Sequence, residues 1–175
     1  MVVPPIVSDS VFTNLHFSSA RLMRALSRLA PVQQLPRKLP SERDFDPFDG
    51  CLDAQCAWKH FGGLNLDEAY SLFCENPLHY QEDFMFMGHK AFVYYFPVID
   101  RFIRNGDDDQ EASIIGLDIA FQVTHEDITK FASIKNDMIE LSKFVLNNLD
   151  RFGETKSKPN KLASTWKNPL LKLTD

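Results

Sequence analysis

Apolar residues recur along this chain at steps of three and four, and that spacing predicts a mainly α protein. Residues Asp9 to Leu29 carry Phe12, Leu15, Leu22, Leu26 and Leu29 at near-helical intervals, the pattern of a first amphipathic helix. Pro31, Pro36, Pro40 and Pro47 then exclude a continuous helix, so 31–48 reads as an extended connector and the compact domain begins near Phe45. From Gly50 to Phe61 a second helix would set Leu52, Cys56, Ala57 and Phe61 on one side, stopped by Gly62-Gly63. Asn65, followed three residues on by Glu68, has the form of a capping box opening a short helix with Ala69, Tyr70, Leu72 and Phe73, which Asn76-Pro77 closes.

Seven of the seventeen residues from Tyr80 to Phe96 are aromatic, which marks core. Ala91 to Phe96 has the composition of a buried strand. Extended to Arg104, however, Phe92, Tyr95, Ile99, Phe102 and Ile103 follow helical spacing, and helix is preferred, with Pro97 either kinking it or starting a new segment. Asn105 to Asp109 is a turn leading to a helix through Ile114, Leu117, Ile119 and Phe121. Thr124 and Asp127 repeat the capping pattern ahead of a long last helix with Phe131, Ile134, Met138, Leu141, Val145 and Phe152 on its apolar side, missing only at Asn148. Past Gly153 the Lys, Ser, Pro and Asn read as a mobile tail with one late apolar cluster, Trp166 to Leu173. The expected architecture is a single compact helical domain of about six helices over 45–153, preceded by a basic helix and Pro-rich connector over 1–44 and followed by a basic tail over 154–175.

Charge refines this picture. The net charge is −5, but five Lys against two acids in 154–175 leave the rest of the chain at about −8. Such a body repels phosphate backbones, which speaks against nucleic acid, and suits a basic protein. No apolar run reaches a membrane-spanning length, so no membrane role is expected. Cys51, Cys56 and Cys74 form an odd set without framework spacing, as in a reduced, cytoplasmic protein. Val11 to Leu39 holds Arg21, Arg24, Arg28, Arg37 and Lys38 with no acid. That composition resembles an organelle transit peptide, although a basic helix docking on an acidic body explains the same residues better.

Candidate chemistry gathers at the polar edge of the aromatic stretch. Glu75 and His79 are four apart, the spacing that aims two ligands at one ion on a helix, but Pro77 stands between them. Cys56 and His60, with Cys74 as a third ligand, make a second variant. A metal-dependent hydrolase would use His79 and Glu82 with His60 or His89. Glu82 and Asp83, beside aromatics, are candidates for raised carboxyl pKa values and acid/base work. Adjacent helical residues diverge by about a hundred degrees, though. The alternative is that one faces water while the other caps a helix or pairs with Lys90, Arg101 or Lys59. There is no Gly-x-Ser-x-Gly elbow, no nucleophilic cysteine signature and no phosphate-binding Gly-rich loop, and no cofactor is expected. Tyr70, Tyr80, Tyr94 and Tyr95 combine apolar area with a hydroxyl, as interface hot spots do.

The segment Trp58-Lys59-His60-Phe61-Gly62-Gly63-Leu64, through Glu82-Asp83-Phe84-Met85-Phe86-Met87-Gly88, to Ala91-Phe92-Val93-Tyr94-Tyr95-Phe96-Pro97 resembles small uncharacterised bacterial domains. These have a helix ending in Phe-x-Gly and an Ala-Phe-x-Tyr-Tyr-hydrophobic-Pro box. The resemblance spans roughly 52–104 and brings no catalytic residues. Proteins of this type include toxin immunity proteins, which implies a protein partner, a basic toxin, met by an acidic aromatic face of Tyr80, Glu82, Asp83, Asp107, Asp108 and Asp109.

Overall fold

The computed structural model describes residues 38–45, 50–105, 115, 116, 119, 122, 127–152 and 162–174. The chain divides into two units, Met1–Leu35 and Pro36–Asp175, and the described residues all belong to the second. The helix expected over 9–29, most of the connector, the turn expected over 105–109 apart from Asn105, and most of the helix expected through 114–121 lie outside the described residues.

Within the second unit every described element is helical, with no strand among the described residues. These elements are α1 (Glu42–Phe45), α2 (Leu52–Phe61), α3 (Leu66–Glu75), α4 (Pro77–Phe86), α5 (His89–Asn105), a 3-10 segment (Ile128–Ile134), α6 (Lys135–Leu146) and α7 (Leu162–Thr174). The aromatic stretch is therefore helix, as its spacing to Arg104 requires. α5 runs on through Pro97 without a new start. It buries Phe92, Tyr95, Phe96, Val98, Ile99 and Ile103 and packs against α1, α3 and the 3-10 segment. Around it, Phe61, Phe73, Phe84 and Phe102 meet edge to face, the arrangement that aligns ring edges with neighbouring π faces.

Local chemistry sets the boundaries. The Asn65 side chain accepts from the Asp67 and Glu68 N–H groups, and Glu68 returns a bond to the Asn65 N–H, so the capping box opens α3 as read. Asn76-Pro77 closes α3 and also opens α4: Asn76 caps the His79 N–H at 3.2 Å, and Pro77 occupies the first turn, where its missing N–H costs nothing. Gly62 ends α2 beneath the Trp58 ring, where a Cβ would collide with the indole, and Gly63 turns the chain at φ 83°.

Three expectations are corrected. On α2 the buried residues are Ala54, Ala57 and Phe61, while Leu52 and Cys56 face solvent; the inward stripe is set by the small residues that let α2 approach α1 and α4. The long last helix is a 3-10 segment, capped by Asp127 at the Thr129 N–H, followed by α6. Its apolar stripe is nonetheless as read, with Phe131, Ile134, Met138, Leu141, Val145 and Phe152 all buried. The stretch expected to be a mobile tail contains α7, which packs on α6 and buries Leu162, Trp166 and Leu173. Burial of the late apolar cluster outweighs the tail-like composition around it. Trp166 lies over Gly116, where any side chain would strike the indole.

No described helix is long and apolar enough to cross a membrane.

Candidate functional site

The structure turns Glu82 and Asp83 opposite ways on α4, Glu82 to solvent and Asp83 inward. The inward carboxylate meets His60, the penultimate residue of α2: the imidazole Nδ1–H donates to Asp83 Oδ2 at 2.8 Å. The Asp83 side chain is 9% exposed and that of His60 33%, so the pair runs from the interior to the surface. Lys90 and Arg101, the cations expected for this carboxylate, are used elsewhere. Lys90 lies 3.5 Å from Asp44, and Arg101 bonds Asp67 at 2.8 Å while stacking on Tyr70; Lys59 is exposed.

His79 and Asp83 are four apart on α4 and so share its face toward α2. The His79 ring centroid lies 5.4 Å from that of His60, and Tyr80 approaches both imidazoles edge-on, at 5.3 and 4.8 Å. Burial is the largest influence on Asp83 and pushes its carboxyl above the usual carboxylate range; the His60 bond and the charges of His60 and His79 pull it back, and Glu82 adds to the rise.

Behind the pair the scaffold is rigid. The Tyr95 hydroxyl is shared between the Phe61 carbonyl at 2.5 Å and the Leu64 carbonyl at 2.8 Å, which fastens the end of α2 to α5. Burial pushes its phenol up, keeping it a donor. Gln122 donates to the Phe84 and Met85 carbonyls and holds the end of α4.

His60 also lines an open groove of about 550 Å³ with Leu64, Asp67, Glu68, Ser71, Leu72 and Glu75. Three carboxylates around two leucines make a surface suited to a side chain that is apolar along its stem and cationic at its tip. Sequence reading took Asp67 and Glu68 as caps and missed the groove. The available signal was Asp67, Ser71 and Glu75 at successive steps of four, a polar stripe on one face of α3.

Of the other candidates, Tyr80 is half-buried against the histidines, and Asp107, Asp108 and Asp109 lie outside the described residues. The alternative ligand set is not assembled as drawn: His60 and His79 are neighbours, Glu82 faces solvent, and His89 is the first residue of α5. Cys56 and Cys74 are exposed, and Glu75 and His79 fall on separate helices either side of Asn76. Among the described residues no group of three or more His, Cys, Asp and Glu is arranged to hold a metal ion.

Compared with protein-family models, with curated proteins and with solved structures, the chain matches none. The resemblance over 52–104 thus rests on its motif residues alone.

Proposed function

We propose that this chain is a non-enzymatic protein-binding domain, an immunity-type partner that occludes a basic effector with an acidic face. The observation that carries the reading is the α3 groove, where Asp67, Glu68 and Glu75 surround Leu64 and Leu72 with His60 on the wall. Asp107, Asp108 and Asp109 lie outside the described residues and stay in the proposed face. Asp83 leaves the binding set because it is turned inward; Glu82 stays as an exposed carboxylate; and the carboxylates of α3 join it.

The groove acids differ in what else they do. Glu68 completes the capping box and Asp67 holds Arg101, so reversing either charge also disturbs α3. Glu75 is exposed at the C-terminal end of α3, where a lysine suits the helix dipole. Glu75→Lys with Glu82→Lys is accordingly the clean test. A short peptide of alternating lysine and leucine, titrated calorimetrically, binds the wild type and weakens steeply as salt rises. The double variant loses about tenfold or more in affinity, the effect of roughly 1.4 kcal/mol. Equal affinity for the variant, or for a matching glutamate and leucine peptide, contradicts the reading.

A further inference from the structure

We propose that His60, His79 and Asp83 form a proton-operated latch between α2 and α4, tightened when the imidazoles take up protons and loosened when they release them. The inference goes beyond the binding function and does not depend on what the groove takes.

A buried carboxylate is a cost unless a cation compensates it. Lys and Arg keep their charge across the physiological range, so a carboxylate paired with either is compensated at any such pH. Asp83 is different: the cations acting on it are the imidazoles of His60 and His79. Histidine is the side chain whose charge changes near neutrality, so the compensation of Asp83 is itself conditional on pH.

With His60 neutral, Asp83 keeps one hydrogen bond, and a mostly desolvated charge faces an uncharged donor. With His60 protonated, the same 2.8 Å contact becomes an ion pair, the stronger class of bond. His79, exposed one turn before Asp83 on the same face, adds a second charge that favours the ionised carboxylate, offset in part by repulsion between the two imidazolium rings, whose centroids lie 5.4 Å apart.

Charged groups face the pair from several elements. From α3, Asp67, Glu68 and Glu75 line the groove with His60, Asp67 being bonded to Arg101 of α5 at 2.8 Å and Glu68 engaged in the capping box, and His60 itself sits at the C-terminal end of α2. From α4, Glu82 is exposed and Tyr80 packs edge-on against both imidazoles. On α2, Lys59 is exposed. From α1, Asp44 is occupied by Ser41 and Lys90, and from α5, Tyr95 reaches the end of α2 as a neutral donor.

The latch spans a junction the core makes rigid elsewhere. Phe61 of α2 and Phe84 of α4 meet edge to face at 5.2 Å, both fully buried. The adjustable part of the α2–α4 contact is its rim, where His60 also forms a wall of the groove.

The sign follows from linkage. Asp83 is raised in the folded state, so the stabilisation from its neutral form is complete below the ordinary value of 3.8 and is lost as pH rises through the raised value. Above that point the ionised carboxylate is a cost, smaller while the imidazoles are charged and largest once they are neutral. Asp83→Asn keeps an acceptor for His60 and removes the cost.

Urea unfolding of wild type and Asp83→Asn from about pH 8 to about pH 5 tests this across the histidine range. The Asn variant is the more stable at the alkaline end, and its advantage shrinks by about tenfold in the folding equilibrium constant at the acid end, the equivalent of one pKa unit of coupling. His79→Gln reduces the shrinkage without abolishing it. A constant difference between wild type and Asp83→Asn overturns the proposal. If a variant does not fold, carbon NMR of the wild type decides: the Asp83 carboxyl shows a second inflection where the His60 ring titrates. An Asp83 curve blind to the histidine step overturns it.

Discussion

Tyr95 shows how much one side chain can hold. Its hydroxyl donates to two carbonyls at the chain reversal after α2, that of Phe61, which also accepts from the Leu64 N–H at 3.1 Å, and that of Leu64. Tyr95→Phe keeps the ring and removes that donor, so it lowers stability by about 1–3 kcal/mol. A urea midpoint equal to wild type would contradict this. Burial of Tyr95 was legible in the sequence, since it falls on the helical stripe with Phe92 and Ile99. The hydrogen bond was not, because Phe61 is 34 residues away and periodicity carries no long-range pairing. The same holds for His60 and Asp83, 23 residues apart. Sequence reading separated Glu82 from Asp83 by helical geometry, correctly, and then sought the partner among lysines and arginines. The partner is a histidine at a helix end, brought there by the packing of α2 on α4.

At the scale of the element, local chemistry was legible wherever it is self-contained. The capping box at Asn65 and Glu68 needs only neighbours three residues apart, and it forms. Since α3 carries the groove carboxylates, Asn65→Ala is expected to fray its first turn and cost about 0.5–2 kcal/mol. Hydrogen exchange at Asp67 and Glu68 would report that fraying, and unchanged protection there would refute it. Legibility fails where an element depends on another for its existence. α7 has Pro169 in its interior and a tail-like composition before it, and it is ordered by burying Trp166 and Leu173 against α6. Trp166→Ala therefore opens a large cavity at a fully buried site and costs about 3–5 kcal/mol. Loss of helical circular dichroism confined to a residual tail signal, with an unchanged unfolding midpoint, would mean that α7 adds nothing to the fold. α2 teaches the converse: apolar spacing placed Leu52 and Cys56 on the inward side with Ala57 and Phe61, but Ala54 is buried with Ala57 and Phe61 instead.

The molecule as a whole is an aromatic helical core bearing a negatively charged surface. Of the 19 Lys and Arg residues, ten lie in 11–39 and 154–175, so the intervening chain carries the acid excess. One site joins the interior to that surface. Asp83 is inside, His60 spans the boundary, and Asp67, Glu68 and Glu75 stand around the groove His60 lines. Whether that groove is the binding face is tested most directly by amide NMR mapping of the lysine and leucine peptide on the full chain. The account predicts shift changes centred on His60, Leu64, Ser71, Leu72 and Glu75, fading as salt is added. Changes scattered over the surface, or centred on α6 and α7, would contradict it.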